Sequence, residues 1–246
     1  MKKLIVGLSL CLLPNIFIIA CTKEIIEFST IDVQVPRIPN LNHKYSLILR
    51  ETNKKVGSAK FSVRHYKTEN RLFYQMSYDL TINWINKETG KNQKLNITSN
   101  SVIDSQFKLY SFESKLLNNT DELTRRGFYK TPHFYIVEND KNSRIYAPKG
   151  IFSNLVEHFI IRSELKEPGN AVSYHFLNVV SLNVEEERIS FEKKEIIKIH
   201  EKEIPVKALI VNNYTNGYYS TYWVSNDNKL VQKTDFREAI IWRLDP

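Results

Sequence analysis

Residues 71–84, RLFYQMSYDLTINW, alternate between apolar and polar side chains, with Phe73 as the one exception. In a β-strand successive side chains point to opposite faces of the sheet, whereas a helix would scatter the same apolar residues around its axis. The stretch therefore predicts one long strand with a single dry face. That face carries Leu72, Tyr74, Met76, Tyr78, Leu80, Ile82 and Trp84.

The same alternation continues on both sides of this strand. Lys44–Thr52 and Val56–Tyr66 precede it, and Gln93–Ile103 follows it. Turn residues separate the later segments, and the pair Asn216-Gly217 is the strongest hairpin signal among them. The other predicted strands are Lys108–Leu116, Gly127–Glu138, Ser143–Tyr146, Val172–Val180, Arg188–His200, Ile204–Asn213, Tyr218–Val224, Leu230–Phe236 and Ala239–Leu244.

One segment has the periodicity of a helix. Within Phe152–Leu165, apolar residues recur at the spacing of a helix face. Asn154 and Glu157 have the spacing of a capping box, and Pro168-Gly169 would end the helix. The sequence thus predicts a single antiparallel β domain over residues 44–246, interrupted by one helix.

The N-terminus has the layout of a secretory signal. Lys2 and Lys3 precede an apolar run, Leu4–Ala20, that is shorter than the roughly 20 residues of a membrane-spanning helix. The segment Ile18-Ile19-Ala20-Cys21 resembles the lipobox of bacterial lipoproteins. This resemblance implies cleavage after Ala20 and a covalent lipid, with diacylglycerol on the Cys21 thiol and palmitate among its expected fatty acids. The alternative is an ordinary secretory peptide in which Cys21 occurs by chance.

The segment after the lipobox resembles a tether. Residues 21–43 lack sustained periodicity and contain Pro36 and Pro39, so they predict a lipidated cysteine followed by a flexible link. Thr22 is not Asp, which by resemblance to a sorting rule of some diderm bacteria favours the outer membrane, with the domain facing the periplasm. The only other cysteine, Cys11, lies in the signal segment, so no disulfide is expected in the mature chain.

Charge and motifs argue against several classes of function. The net charge is +8, but the basic residues are dispersed, whereas nucleic-acid binding uses a concentrated basic patch. His200-Glu201 begins like H-E-x-x-H, but Ile204 stands where the second zinc ligand would be. We therefore expect no nucleic-acid partner, no metal, no cofactor other than the covalent lipid, and no enzymatic activity.

A few residues remain as weaker candidates. Arg125-Arg126 could bind a phosphate or carboxylate or lie in a solvated turn. Glu185-Glu186-Glu187 is interpreted as a solvated turn beside a strand. Arg162, near the end of the helix, could pair with a carboxylate of the sheet or cap the helix carbonyls. Three tryptophans could line a pocket or simply pack against the sheet: Trp84, Trp223 and Trp242.

The predicted domain also resembles a family of uncharacterised exported bacterial proteins. The similar segments are Tyr45–Leu49 with Lys55–Ala59, Leu155–Arg162 with Glu167-Pro168-Gly169, and Tyr222-Trp223-Val224 with Asp227–Val231. That family broadly resembles the periplasmic lipoprotein carriers. The resemblance implies a half-barrel, in which a curved, incompletely closed antiparallel sheet is partly covered by a short helix and acyl chains bind between the two.

Two functions fit these observations. In the first, the protein is a membrane-tethered, non-enzymatic binding protein that holds a lipid or other apolar ligand on the dry face of residues 72–84. In the second, it is a structural or interaction protein of the cell envelope whose interior is filled and whose surface meets a protein partner. The two differ in whether the protein's own side chains cover the apolar face.

Overall fold

The computed structural model describes residues 26–27, 38–69, 71–85, 90–235 and 240–246. Cys21, the predicted signal segment and most of the predicted tether lie outside these residues. Within them the chain forms fifteen strands in a single sheet and one α-helix. No helix in these ranges combines the length and the apolar character that crossing a membrane requires.

The elements follow the chain in a simple order. The strands before the helix are β1 Ile26–Glu27, β2 Leu41–Leu49, β3 Lys54–Thr68, β4 Arg71–Ile85, β5 Asn92–Asp104, β6 Leu109–Asn118, β7 Asp121–Lys130, β8 His133–Glu138 and β9 Lys141–Tyr146. The helix α1 spans Val156–Ser163. The strands after it are β10 Ala171–Leu177, β11 Val184–Ile199, β12 Lys202–Asn213, β13 Tyr218–Ser225, β14 Leu230–Asp235 and β15 Ile240–Leu244.

Consecutive strands pair antiparallel from β2 to β9 and from β10 to β15, and these two halves join where β15 pairs antiparallel with β2. The short β1 is the exception, since it pairs in parallel with β10. The outermost strands are β1 and β9, so the sheet does not close into a barrel. This confirms the predicted fold, a curved and incompletely closed antiparallel sheet with one short helix.

The sheet wraps around α1. The helix residue Phe159 packs against Phe107, between β5 and β6, while His158 stacks on Phe61 of β3. These partners come from separate parts of the sheet, so the helix lies against its concave face. The concave face is thus the one that faces α1, and the convex face is the opposite one.

Residues 151–153 lie between the two halves of the sheet at one point. The N–H of Leu109 donates to the carbonyl of Ile151 (2.8 Å), and the N–H of Ser153 donates to that of Phe107 (3.1 Å). On the other side, the N–H of Leu177 donates to the carbonyl of Phe152 (3.0 Å). Residues 151–153 therefore connect β10 to the start of β6 by hydrogen bonds. The strands β7, β8 and β9 extend past this connection to the edge of the sheet.

The predicted helix is present, but it is shorter than the segment Phe152–Leu165 whose apolar pattern predicted it. Its N-cap is Leu155, which makes no side-chain capping hydrogen bond, so the capping box predicted from Asn154 and Glu157 is wrong. The Oγ of Ser153 instead accepts a hydrogen bond from the N–H of Leu155 (3.0 Å). The helix is held by burial of its apolar side rather than by its cap: Val156, Phe159, Ile160 and Ile161 are all buried.

Two boundaries differ from the sequence prediction. The described fold begins before residue 44, because Ile38 is buried and β2 starts at Leu41. The predicted strand Gly127–Glu138 is in fact two strands, β7 and β8, which form a hairpin around Thr131 and Pro132. Proline lacks the N–H that a central strand would need, and this is why the chain turns there.

Candidate functional site

The first half of the predicted ligand-binding face belongs to a filled core. Tyr74 and Met76 lie beside the helix in the main hydrophobic cluster, and Met76 is only 4% exposed. The Tyr74 ring stacks on Phe107, which in turn contacts Phe159 of α1. Truncating these residues would therefore create a cavity, whatever the protein binds.

The second half of the face is less covered. Tyr78 and Ile82 are half-buried, and Trp84 at the end of the stripe is 40% exposed. Leu80, which lies between them on the same face, and its cross-strand partner Ile97 are buried in a second cluster. We call the half-buried concave residues of this region the open apolar face; they are Tyr78, Ile82, Leu95, Leu116 and Trp242.

An aromatic group and a lysine border the open apolar face. The rings of Tyr78 and Trp242 are stacked, with centroids 6.3 Å apart and planes 10° from parallel. The Nζ of Lys233 lies 5.5 Å from the Trp242 ring centre and 5.0 Å from that of Tyr222. An ammonium over aromatic faces is attracted by their π-electrons, so Lys233 is held on the concave side.

Polar side chains occupy the concave face of β11 and β12, which the sequence analysis missed. Glu185 is 1% exposed, and Glu187 is also buried, so the predicted solvated turn is wrong. Asn213 donates its Nδ2 to Glu185 (2.8 Å) and to Glu187 (3.3 Å), and the Tyr174 hydroxyl donates to Glu187 (2.6 Å). Burial of these carboxylates is tolerated because each accepts hydrogen bonds. Only the alternation of β11, which turns positions 185 and 187 inward, could have indicated this.

Glu157 of α1 faces the same polar group. Its pKa is raised to about 8, chiefly by burial and secondly by the negative charge of Glu187, while Lys233 and a hydrogen bond with Tyr222 act in the opposite direction. Burial also raises the pKa of Glu187. At neutral pH the carboxyl of Glu157 is therefore largely protonated.

His158 and Arg162, which are also on α1, form a second polar group. The pKa of His158 is lowered to about 3, chiefly by burial and then by the positive charges of Arg162 and His43. Burial also lowers the pKa of Arg162, while Asp227 raises it. The buried Nε of Arg162 has no hydrogen-bond partner within the described chain. Asp227 lies in the turn that follows β13, so both predicted roles for Arg162 remain predictions.

Arg125 and Arg126 lie in the middle of β7 rather than in a turn. Because they are adjacent in a strand, their side chains point to opposite faces. Arg125 is on the concave face and pairs through its Nε with Glu138, whereas Arg126 is exposed on the convex face. The two arginines therefore cannot bind one anion together.

The three tryptophans lie on different parts of the sheet and do not line one pocket together. Trp242 belongs to the open apolar face, Trp84 is exposed near the end of β4, and Trp223 donates its Nε1 to Glu195 (2.7 Å). Tyr222, the neighbour of Trp223 in β13, faces the interior, so Trp223 lies on the convex side. Across the described ranges, no group of three or more His, Cys, Asp or Glu side chains is placed to hold a metal ion.

Comparisons with known proteins define the fold but no family. No protein-family model matches this chain, and no curated protein matches it. The chain is similar to a crystal structure of a β-barrel-like protein from Brucella abortus, a domain of unknown function called DUF1849. The two share 10% sequence identity and a TM-score of 0.59, over 85% of this chain and 96% of that one. At this identity the likeness shows a common fold, and that fold is compatible with a binding protein.

Proposed function

We propose that this protein is a membrane-tethered lipoprotein of the cell envelope that binds a lipid or another apolar ligand, without catalysing a reaction. The ligand would lie on the open apolar face. Cys21 would carry the lipid anchor, and the domain would face the periplasm from the outer membrane.

One observation carries the ligand proposal. Along a single strand, Met76 and Leu80 are buried while Tyr78 and Ile82 remain half-buried on the same concave face. A sheet that served only as a core would bury these large side chains, since burying each would contribute roughly 1.5–3 kcal/mol. Tyrosine and tryptophan have apolar bodies with polar ends, which suits contact with an amphipathic molecule.

The polar interior supports a binding role rather than catalysis. The buried carboxylates of Glu185 and Glu187 accept hydrogen bonds from Asn213, Tyr174 and, for Glu185, also Asn178. Hydrogen bonds of this kind hold the carboxylates in place as structural groups. A general acid or base would instead need to reach a bound substrate directly.

Replacing Cys21 with alanine tests the anchor. Without the thiol there is no site for the lipid, so the variant should accumulate as an unprocessed or soluble exported form. Membrane fractionation and mass spectrometry of the N-terminus would measure this. A variant that stays membrane-bound and is processed normally would refute the anchor.

Placing a carboxylate on the open apolar face tests the ligand. Ile82→Asp should weaken binding of a fluorescent fatty acid such as cis-parinaric acid at least about tenfold, because an acyl chain would then contact a hydrated charge. Asn83→Asp is the matched control, since it adds the same charge to the next residue, on the exposed convex side. The chain from Thr22 to Pro246 retains every described element and is suitable for titrations.

Denaturant melts of both variants would show whether each remains folded at the temperature of the titration. Saturable binding by the wild type that Ile82→Asp weakens and Asn83→Asp does not would support the proposal. Equal effects of the two substitutions, or no saturable binding by the wild type, would overturn it.

An aromatic surface favours the interaction protein as the second candidate. On the convex face Tyr66 stacks on Phe73 (5.8 Å between ring centres), and Phe73 contacts Tyr110 (5.7 Å). Nearby, Phe128 stacks on Tyr135 (5.4 Å). Exposed aromatic surface of this kind is typical of contact sites. A wild-type chain that binds no fatty acid would leave this surface as the better indication of function.

A further inference from the structure

A polar row crosses the concave face of the sheet next to the open apolar face. The strand register aligns Tyr78 of β4 with Ser99 of β5, then with Ser114 of β6, Arg125 of β7 and Glu138 of β8. Paired residues of neighbouring strands project to the same face. These five side chains therefore form one row, which we call the polar row.

Two members of the polar row have unused hydrogen-bonding capacity. The buried Oγ of Ser99 has no hydrogen-bond partner in the described chain. The side chain of Arg125 is 14% exposed, and its contact with Glu138 uses only the Nε, so its two terminal nitrogens bind no acceptor among the described residues. A buried polar group without a partner is costly, and a guanidinium offers five N–H donors.

The polar row separates two different parts of the concave face. On one side, the cross-strand partners that start from Met76 are Ser101, Phe112, Gly127 and Ile136, in that order. Met76, Phe112 and Ile136 belong to the filled core. On the other side the next row runs from the buried Leu80 and Ile97 to the half-buried Leu116 and Leu123, and the pair Ile82 and Leu95 follows it. A molecule on the open apolar face would therefore meet Arg125 and Ser99 at one end only.

The dimensions fit a single small head group. Ser99 and Arg125 lie on strands two apart, with backbones about 10 Å from each other. The Nε of Arg125 is turned towards Glu138 on β8, so a head group that contacts both Arg125 and Ser99 would lie over Ser114. The Ser114 hydroxyl is already used, because it donates to the carbonyl of Val179 (3.1 Å) in the loop that follows β10.

We propose that the ligand is an amphipathic anion, whose carboxylate or phosphate head accepts hydrogen bonds from Arg125 and Ser99 while its acyl chain lies on the open apolar face. This rests on the proposed function and adds the chemical class of the ligand and its orientation. Arginine suits both head groups, because its planar fork matches the oxygens of carboxylates and phosphates.

Arg125→Gln tests the proposal, with Arg126→Gln as the matched control on the opposite face of the same strand. Dodecanoate, dodecyl phosphate and dodecanol would be titrated as competitors of the fluorescent fatty acid. We expect Arg125→Gln to weaken the binding of whichever anionic head the site accepts by about tenfold or more, since hydrogen bonds to charged groups are the strong ones. The alcohol should bind equally to all three proteins. The two anions together show whether the head is carboxylate or phosphate.

A second substitution keeps the test decisive if Arg125→Gln disturbs Glu138. Ser99→Ala removes only the unpartnered hydroxyl, so it should leave the denaturant midpoint unchanged or raised and still weaken the anion more than the alcohol. If wild type binds alcohol and anions equally and neither variant discriminates, the head-group proposal is wrong while the ligand proposal stands. If nothing binds, both are wrong.

Discussion

Phe159→Ala is expected to lower the free energy of unfolding by about 3–5 kcal/mol, the usual cost of deleting a buried phenylalanine ring. Phe159 is 2% exposed, and its ring contacts Phe107 at 5.3 Å between centres. The ring joins α1 to the turn between β5 and β6. Its loss therefore removes packing on the helix and on the sheet at once. A single domain has only about 5–15 kcal/mol in total, so the variant should be close to unfolding at physiological temperature.

Phe128→Ala is the matched control, because it deletes the same ring from a residue that is 50% exposed on the convex face. It should cost much less, since most of that ring is already in water. Urea denaturation followed by circular dichroism would give both values. Equal losses for the two variants would show that α1 is not the covering element of the core.

The second large effect is on the pH dependence of stability. Folding raises the pKa of Glu157 from 4.5 to about 8, so the native state binds a proton that the unfolded state releases across this range. The stabilisation is complete below pH 4.5 and is lost as the pH rises towards 8. Folding lowers the pKa of His158 from 6.5 to about 3, so its contribution is complete above pH 6.5 and is lost as the pH falls towards 3.

The two groups together predict a stability maximum on the acidic side of neutrality. Between pH 4.5 and 6.5 a rise in pH lowers stability through Glu157 and raises it through His158, so the two effects oppose each other. Above pH 6.5 the effect of Glu157 remains, and the raised pKa of Glu187 acts in the same direction. From pH 6.5 to 8 the loss through Glu157 is at most about 2 kcal/mol, at about 1.4 kcal/mol per pH unit. Below pH 4.5 stability is lost through His158, and the lowered pKa values of His43, Glu195 and Asp227 act in the same direction.

Each slope can be removed separately. Glu157→Gln keeps the size and polarity of the side chain without its proton, so stability should fall less between pH 6.5 and 8 than in the wild type. His158→Phe keeps the ring that stacks on Phe61, at 5.0 Å between centres, and should reduce the loss below pH 4.5. Urea midpoints measured at each pH would provide the curves. A Glu157→Gln curve parallel to that of the wild type above pH 6.5 would show that this carboxyl is ionised in the native protein.

The sequence predicted the sheet well because period-two alternation is a local signal. Residues 71–84 identified β4 almost to its ends, and Asn216-Gly217 marks the β12–β13 hairpin as expected. The helix was also recognisable from its apolar spacing. Its cap was not, because the N-cap position falls on Leu155 and the nearby side chain that accepts a hydrogen bond is Ser153 rather than Asn154. The chain offers several polar residues there, and only the surrounding fold decides between them.

The candidate site was predictable only in part. The alternation gave the apolar face but could not show where α1 covers it, so Met76 and Ile82 looked equivalent. The polar row depends on the register of five strands, which no short segment encodes. Glu185 and Glu187 were misinterpreted because a run of three glutamates suggests solvent, whereas burial here is compensated by Asn213, a residue far along the chain.

The pairing of β15 with β2 has a consequence for how the molecule is assembled. The Ser46 hydroxyl donates to Asp245 (2.6 Å) across 199 positions of the chain, and Leu47 pairs with Trp242. A polypeptide that emerges N-terminus first therefore cannot join the two halves of its sheet until its last strand is available. Contacts this distant in sequence are typical of slow folders. Until then β2 and β14 expose unpaired edges that can associate with other chains, so this molecule should depend on chaperones during its synthesis more than a helical protein of equal length.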